Sequence, residues 1–285
     1  MKLSMPLISV IIPTFNRRDS ISKAIDSVLN QTISDWELII IDDGSQDDTC
    51  EIVKPFLQDP RIRYNFQENR GVSSARNTGA KLAKGNWLVF LDSDDLFTQS
   101  AFENFFETIQ SDLSVGIWKS GCLLRIGTKE EIELPKEGEL IPFLVGCFIL
   151  KRSIFNSIKG FDEKLRFSEN TELLHRIKLS EYKIKTIQKP TLIYNSHPHG
   201  GSKNLKNMND SLSHILKIHK KTLTSDEKRL YYQIMGVNSL RFQEFPSARK
   251  NLLTAYSLKL WRIDTLARLI ISYLPIISRK IYKLL

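Results

Sequence analysis

The first hundred residues alternate short, nearly unbroken apolar runs with segments whose apolar positions recur at spacings of three and four. Leu7 to Ile12, Glu37 to Ile41, Ile62 to Phe66 and Trp87 to Leu91 read as strands, continuous in apolar character as strands covered on both faces should be. Asp19 to Asn30, Asp47 to Leu57 and Val72 to Ala83 read as helices, the last two opening with Asp or Ser positions suited to capping. This βαβαβαβ series predicts an α/β fold with a mostly parallel central sheet and flanking helices. Further on, the pattern predicts a helix past Phe97 to Gln110, a strand over 143–150, a helix over Glu169 to Leu179 and a strand over Lys183 to Tyr194 interrupted at Pro190. Leu113 to Pro142 gives no clear period. From Leu205 the pattern is helical, so the expected organisation is an α/β domain over 1–204 and a helical extension over 205–285.

The 285 residues are 41% apolar, which excludes a disordered chain, and carry a net charge of +9. That charge belongs to the extension: from Leu205 on lie 15 of the 41 Lys and Arg but only 5 of the 32 Asp and Glu. The near-neutral main domain excludes a nucleic-acid footprint, and the tail asks instead for a local anionic partner. Cys50, Cys122 and Cys147 are odd in number and widely spaced, so neither a disulfide framework nor a zinc knuckle is expected, and the setting reads as reducing and cytoplasmic. The N-terminus lacks the pattern of a signal peptide, and no uncharged apolar run approaches the roughly 20 residues of a membrane span.

In open α/β sheets ligands lie beyond the carboxyl ends of the strands. Here the first strand ends in Pro13-Thr14-Phe15-Asn16-Arg17, the second in Asp42-Asp43-Gly44-Ser45 and the fourth in Asp92-Ser93-Asp94-Asp95. Two carboxylates at the Asp92, Asp94 spacing can hold a hard divalent cation that bridges diphosphate oxygens, though an isolated pair of this kind is as often a solvated acidic turn. An ordinary turn explains Ser45 and Asp47 but not two successive carboxylates before Gly44, and a carboxylate there can accept from a nucleobase imide or a ribose hydroxyl. Arg76, one turn into a Gly-opened helix, stands either beside a ligand or as counter-ion to the acids. The alternating pattern alone would allow a dinucleotide oxidoreductase, but the first strand is not followed by GxGxxG, which makes it the weaker rival, and a P-loop is missing too.

IIPTFNR, IIIDDGSQDDT, NRGVSSARNTGAKLAKGNWLVFLDSDD and IKGFDEKLRFSENTELLHRI, in this order, resemble the inverting glycosyltransferases of family 2. The resemblance covers residue 5 to about 200 and implies the GT-A fold, a Rossmann-like nucleotide-diphospho-sugar transferase. It also implies a nucleotide-sugar donor, usually a uridine diphosphate sugar, with Mg or Mn at the acidic pair. By that resemblance Pro13, Thr14 and Asn16 line the base and ribose pocket, Asp43 meets the base edge beside Asp42, and Arg76 lies near the nucleotide. Asp92, with Ser93 next to it, contacts ribose or metal, and Asp94 is the principal metal ligand. The family's usual base is the Asp of a Glu-Asp pair after Gly-Phe-Asp-Glu; Gly160 to Glu163 supplies the latter, but the pair reads Glu169-Asn170. Either Glu169 or Glu172, one turn on, then serves as base, or the chain is a non-catalytic nucleotide-sugar-binding scaffold.

His199, in the Gly-rich turn after the last strand, either completes the metal site or is an incidental surface residue. The QxxRW run that the resemblance associates with processive synthases is missing, which implies single-sugar addition. In the extension, Arg262, Thr265, Arg268 and Ser272 form one polar stripe on a segment rich in Leu, Ile, Trp and Tyr, with a kink expected at Pro275. Such a helix suits a membrane surface, with a helical subdomain packed on protein as the alternative. The resulting expectation is a transferase peripheral to the inner face of the cell membrane, acting on a glycan or lipid-linked acceptor in polysaccharide synthesis.

Overall fold

The computed structural model describes residues 7–127, 129–136, 144–195 and 204–283. The chain forms two compact units, one of Met1–Lys164 with Glu169–Pro198 and one of Leu165–Ser168 with His199–Leu285. The first is built on a sheet whose order is β3-β2-β1-β4-β8-β6-β9-β5, with β7 paired to β6. Its strands are β1 (Ile8–Thr14), β2 (Trp36–Asp42), β3 (Ile62–Phe66), β4 (Trp87–Phe90), β5 (Leu96–Phe97), β6 (Ile117–Ile126), β7 (Lys129–Glu133), β8 (Phe148–Lys151) and β9 (Ile184–Asn195).

Across β3, β2, β1 and β4 every pairing is parallel. Beyond β4 the sheet is mixed, antiparallel at β4–β8 and β8–β6 and parallel again at β6–β9. Alternate residues of the central strands enter two separate cores. Val10, Ile12, Leu38, Ile40 and Val89 pack on one side, with Ile21, Ala24, Ile25 and Val28 of α1 (Ile21–Leu29) and Phe102 and Phe105 of α4 (Ala101–Ser111). Ile11, Ile39, Ile41, Leu88 and Phe90 pack on the other, with Ala75 and Ala80 of α3 (Val72–Leu82), Phe155 of α5 (Arg152–Ser157) and Leu173 and Ile177 of α6 (Glu169–Leu179). Both faces are therefore apolar, and the period of two is invisible in the strand sequences. Gly79 lets α3 approach β1 closely, because a Cβ there would stand 2.5 Å from Ile11 Cγ2.

Two expectations are corrected. Pro190 does not interrupt the last strand, because the missing N–H falls where β6 and β9 shift register at Gly121. The expected helix from Asp47 is α2 (Thr49–Val53) followed by a 3-10 turn over Lys54–Gln58 that carries Pro55 at its start. In the stretch without a clear period lie β6 and the β6–β7 hairpin.

The second unit is helical, with α7 (Leu205–Ile218), α8 (Ser225–Arg241), α9 (Phe245–Leu258), α10 (Ile263–Ser272) and α11 (Pro275–Ile281). Thr224 and Glu227 form a reciprocal capping box that opens α8. Pro275 divides the expected last helix in two. Among the described residues no helix is long and apolar enough to cross a membrane.

One buried carboxylate ties the edge of the sheet where the central strands begin. Glu37 Oε1 accepts from Ser9 Oγ at 2.6 Å and from the amides of Lys84 and Gly85, while its Oε2 accepts from Arg63 at 2.5 Å. Burial alone would push this carboxyl up; the hydroxyl, the two amides and Arg63 together hold it below the ordinary glutamate value. A depressed carboxylate stabilises the fold above its unfolded pKa and loses that contribution as pH falls through its folded one. Glu37→Gln should therefore lower stability by about 1–3 kcal/mol at pH 7, with the gap to wild type closing in urea titrations taken at progressively lower pH below the ordinary glutamate range.

Candidate functional site

Parallel register brings three strand ends to one edge: Thr14 of β1 lies beside Asp42 of β2, and Phe90 of β4 beside Ile11. The loop after β1 is laid on the loop after β2. Asn16, with φ of 52°, receives Gln46 N on Oδ1 at 2.8 Å, and the Asn16, Arg17 and Arg18 amides donate to Ser45, Thr49 and Asp47 side chains. Pro13 and Thr14 are buried, and the Thr14 hydroxyl has no hydrogen-bond partner among the described residues.

Asp42 and Asp43 are buried and heavily engaged. Asp42 closes its own turn through Ser45 N at 2.7 Å and accepts from Tyr64 Oη at 2.6 Å, so both oxygens face the chain and not the rim. Asp43 Oδ1 accepts from Gln67 Nε2 and Arg70 N, and Oδ2 from Gly71 N at 2.7 Å. One lone-pair direction on Asp43 Oδ2 remains for an outside donor.

After β4 the chain turns at once, Asp95 N donating to Asp92 O. Asn195, the last residue of β9, clamps this turn: its amide N–H donates to Asp95 Oδ1 at 3.1 Å and its Nδ2 to Asp94 O at 3.0 Å. Asp95 is buried, and that burial, with the charge of Asp92 and then of Asp94, pushes its carboxyl up to about 8. Asp94 lies 3.7 Å from the Arg17 guanidinium, and Ser93 is buried between the acids.

Arg76 is the centre of the arrangement. It stands as the counter-ion to the acids that the sequence allowed, with 2% of its side chain exposed. Its Nη2 donates to Asp92 Oδ1 at 2.6 Å and its Nη1 to Glu169 Oε1 at 2.9 Å; Nε has no partner, and the guanidinium lies 5.3 Å from the Phe161 ring centroid. Burial would pull this guanidinium down, but the two carboxylates outweigh it. Helix α3 also holds the Gly160–Glu163 turn: Asn77 bonds both the N–H and the carbonyl of Phe161 and donates to Glu163, which Arg70 reaches at 2.9 Å. A side chain at Gly160 would strike Asn77 Oδ1 at 2.5 Å.

The two candidate bases have different surroundings. Glu169 is 13% exposed, and its Oε2 has no partner among the described residues. Glu172 is 2% exposed and gives both oxygens to Arg176, whose other N–H groups bond the Ile158 and Gly160 carbonyls, so it is turned toward the fold and away from the cleft. Asn170 Oδ1 is buried without a partner. His199 lies outside the described residues. Tyr64, Gln67, Asn77 and Asn195 were not expected at the site; Asn77 and Asn195 sit inside noticed motifs, but Tyr64 and Gln67 act through a neighbouring strand and leave no local signal.

The donor set suits a hard cation in part. Asp92 and Asp94 offer carboxylate oxygens, and the repulsion felt by Asp95 is what a cation would relieve. Among the described residues no three His, Cys, Asp or Glu side chains converge on one point, so a cation here would need further oxygens from the ligand.

Residues 9–158 match the profile of glycosyl transferase family 2. The chain belongs to that family. An uncharacterized glycosyltransferase, EpsJ, of Bacillus subtilis is 31% identical to this family 2 chain over 214 residues, 68% of the chain and 62% of EpsJ. Chondroitin synthase of Escherichia coli is 29% identical over 249 residues, 83% of the chain but 36% of the synthase. The chain thus spans less than two thirds of either relative. A crystal structure of S. aureus TarS 1–349 in complex with UDP-GlcNAc superposes with a TM-score of 0.67 at 16% identity, over 96% of this chain and 91% of that one, and shows the same GT-A fold.

Arg76→Met should cost about 3 kcal/mol in urea unfolding at pH 7, because it strands two carboxylates around a buried space. Arg76→Lys should recover only part of this, since one ammonium cannot span both partners as the planar guanidinium does.

Proposed function

We propose that the chain is an inverting, metal-dependent glycosyltransferase that moves a sugar from a uridine diphosphate sugar to a hydroxyl of a glycan or lipid-linked acceptor in cell-surface polysaccharide synthesis. The observation that carries this reading is the Asp92–Arg76–Glu169 chain, which fixes a strand-end carboxylate and a half-free base in one frame. TarS in complex with UDP-GlcNAc and the synthase relative support the donor class and the glycan acceptor. The unpaired Thr14 hydroxyl and the open lone pair of Asp43 suit a nucleoside, the latter an imide N–H of uracil.

Glu169 Oε2 takes the proton of the acceptor hydroxyl as that oxygen bonds the anomeric carbon, while the bond from that carbon to the diphosphate breaks on the opposite side. Arg76 holds the other oxygen and thereby the direction of Oε2. The Asn170 carboxamide is not basic enough to accept a proton, and Glu172 is committed to Arg176. A divalent cation, Mg or Mn, held by Asp94 and Asp92 would neutralise the charge that develops on the diphosphate. The basic, helical 205–285 extension would bring the enzyme to the inner face of the cell membrane, where such acceptors are presented.

Asn170 favours one other reading, a nucleotide-sugar-binding scaffold without turnover. A panel of nucleotide sugars, assayed for released nucleoside diphosphate with Mg or Mn, separates the two. The expected result is turnover of a uridine diphosphate sugar that is lost in Asp94→Ala and falls about 10²- to 10⁴-fold in kcat, with donor KM little changed, in Glu169→Gln. Saturable donor binding without turnover, acceptors included, would replace the transferase reading with the scaffold.

A further inference from the structure

Helices α10 and α11 are attached to α8 and α9 by their polar side. Thr265, Ser272 and Ser278 are fully buried. Thr265 Oγ1 donates to Gln233 Oε1 at 2.7 Å, the same oxygen that receives Arg229 Nη1. The carbonyl of Ser272, at the end of α10, accepts from Arg249 at 3.2 Å, and the Arg249 guanidinium lies 4.5 Å from the Tyr273 ring centroid. Leu269 is the α10 residue that joins Leu240, Ala248 and Leu252 in an apolar cluster.

The large apolar residues point the other way. Trp261 is 91% exposed, Ile263 81% and Ile276 74%, and Ile270, Tyr273 and Ile281 are each more than half exposed. An amphipathic helix on a water-soluble protein turns its apolar stripe to the core; here the serines and threonine are inside and the isoleucines outside. So many large apolar side chains exposed along one short segment need a cover.

Charge identifies the cover. From Thr265 to Leu285 the sequence has Arg268, Arg279, Lys280 and Lys283 and no Asp or Glu. Arg279, Lys280 and Lys283 are exposed and have no ion-pair partner among the described residues. A second copy docked face to face would set these cations against one another, whereas an anionic lipid surface accepts them. At about 1.5 Å per residue neither α10 nor α11 approaches the roughly 30 Å of a bilayer core, so the pair can only lie in the interface plane.

We infer that the outward face of α10 and α11, with Trp261, Ile263, Ile270, Tyr273, Ile276 and Ile281, docks on an anionic bilayer, held by partial insertion of these side chains and by Arg279, Lys280 and Lys283. The inference rests on the proposed membrane location of the transferase and supplies its contact face and lipid charge.

The test is flotation of the full chain with vesicles of phosphatidylcholine alone or mixed with phosphatidylglycerol. Binding should be selective for the mixed vesicles and weaken as salt rises. Removing charge with Arg279→Gln and Lys280→Gln should weaken it about fivefold per residue; Trp261→Asp with Ile276→Asp should weaken it by about tenfold or more. Circular dichroism and donor hydrolysis in solution should be the same for all of these variants. Equal flotation of the Asp variant, or no flotation of the wild type, would overturn the docking face; so would a dimer in sedimentation that the Asp variant dissociates without any vesicle binding. A chain that turns over donor but ignores vesicles sinks only this inference, and one that docks but turns over nothing sinks only the transferase reading.

Discussion

The arrangement of the site depends on one guanidinium withdrawn from water. Arg76 spans Asp92, at the end of a strand, and Glu169, at the start of a helix 93 residues further along the chain. Arg76 could not be withdrawn from water alone; its burial is tolerated because Glu169 and the partly exposed Asp92 pair with it. The planar, forked geometry of arginine fixes both carboxylates in direction as well as in distance. This is how a donor-side acid and a candidate base acquire a common frame although they belong to different motifs.

Around that frame, α3 acts as a bracket. Arg70, just before α3, and Arg76 and Asn77 within it each reach to the Gly160–Glu163 turn or to Glu169, and Gly79 lets the helix sit against β1. The segment around NRGVSSARNTGA thus joins the two halves of the site. Asp43 serves similarly from the other side, since its carboxylate fixes the amides of Arg70 and Gly71 where α3 begins.

The alternating strands and helices of the first hundred residues were legible because both faces of the central strands are covered, which leaves an unmistakable run of β-branched residues. Strand ends were legible for the same reason: polarity appears abruptly where cover stops. What could not be read was partnership. Arg76 stood in the sequence as either a ligand contact or a counter-ion, and only the fold shows it 2% exposed between two acids. Glu172 has the same residue type and helix face as Glu169, yet Arg176, one turn on, takes it. Pro190 read as a break because sequence alone does not reveal that the neighbouring strand shifts register opposite it. In the tail the polar stripe was visible, but not that Thr265 and Ser272 of it are buried while Arg262 stays exposed.

Glu37 and the acidic rim stand at opposite ends of the central strands. At one end a single carboxylate satisfies a hydroxyl, two amides and a guanidinium, and so locks β1, β2, β3 and the approach to β4. At the other end burial and the charges of Asp92 and Asp94 push the Asp95 carboxyl up. A sheet fastened so firmly at its tail can carry that electrostatic frustration at its head. Substitutions on the rim are therefore buffered by an anchor that lies away from it, and loss of the anchor would narrow the range of rims the same scaffold could bear.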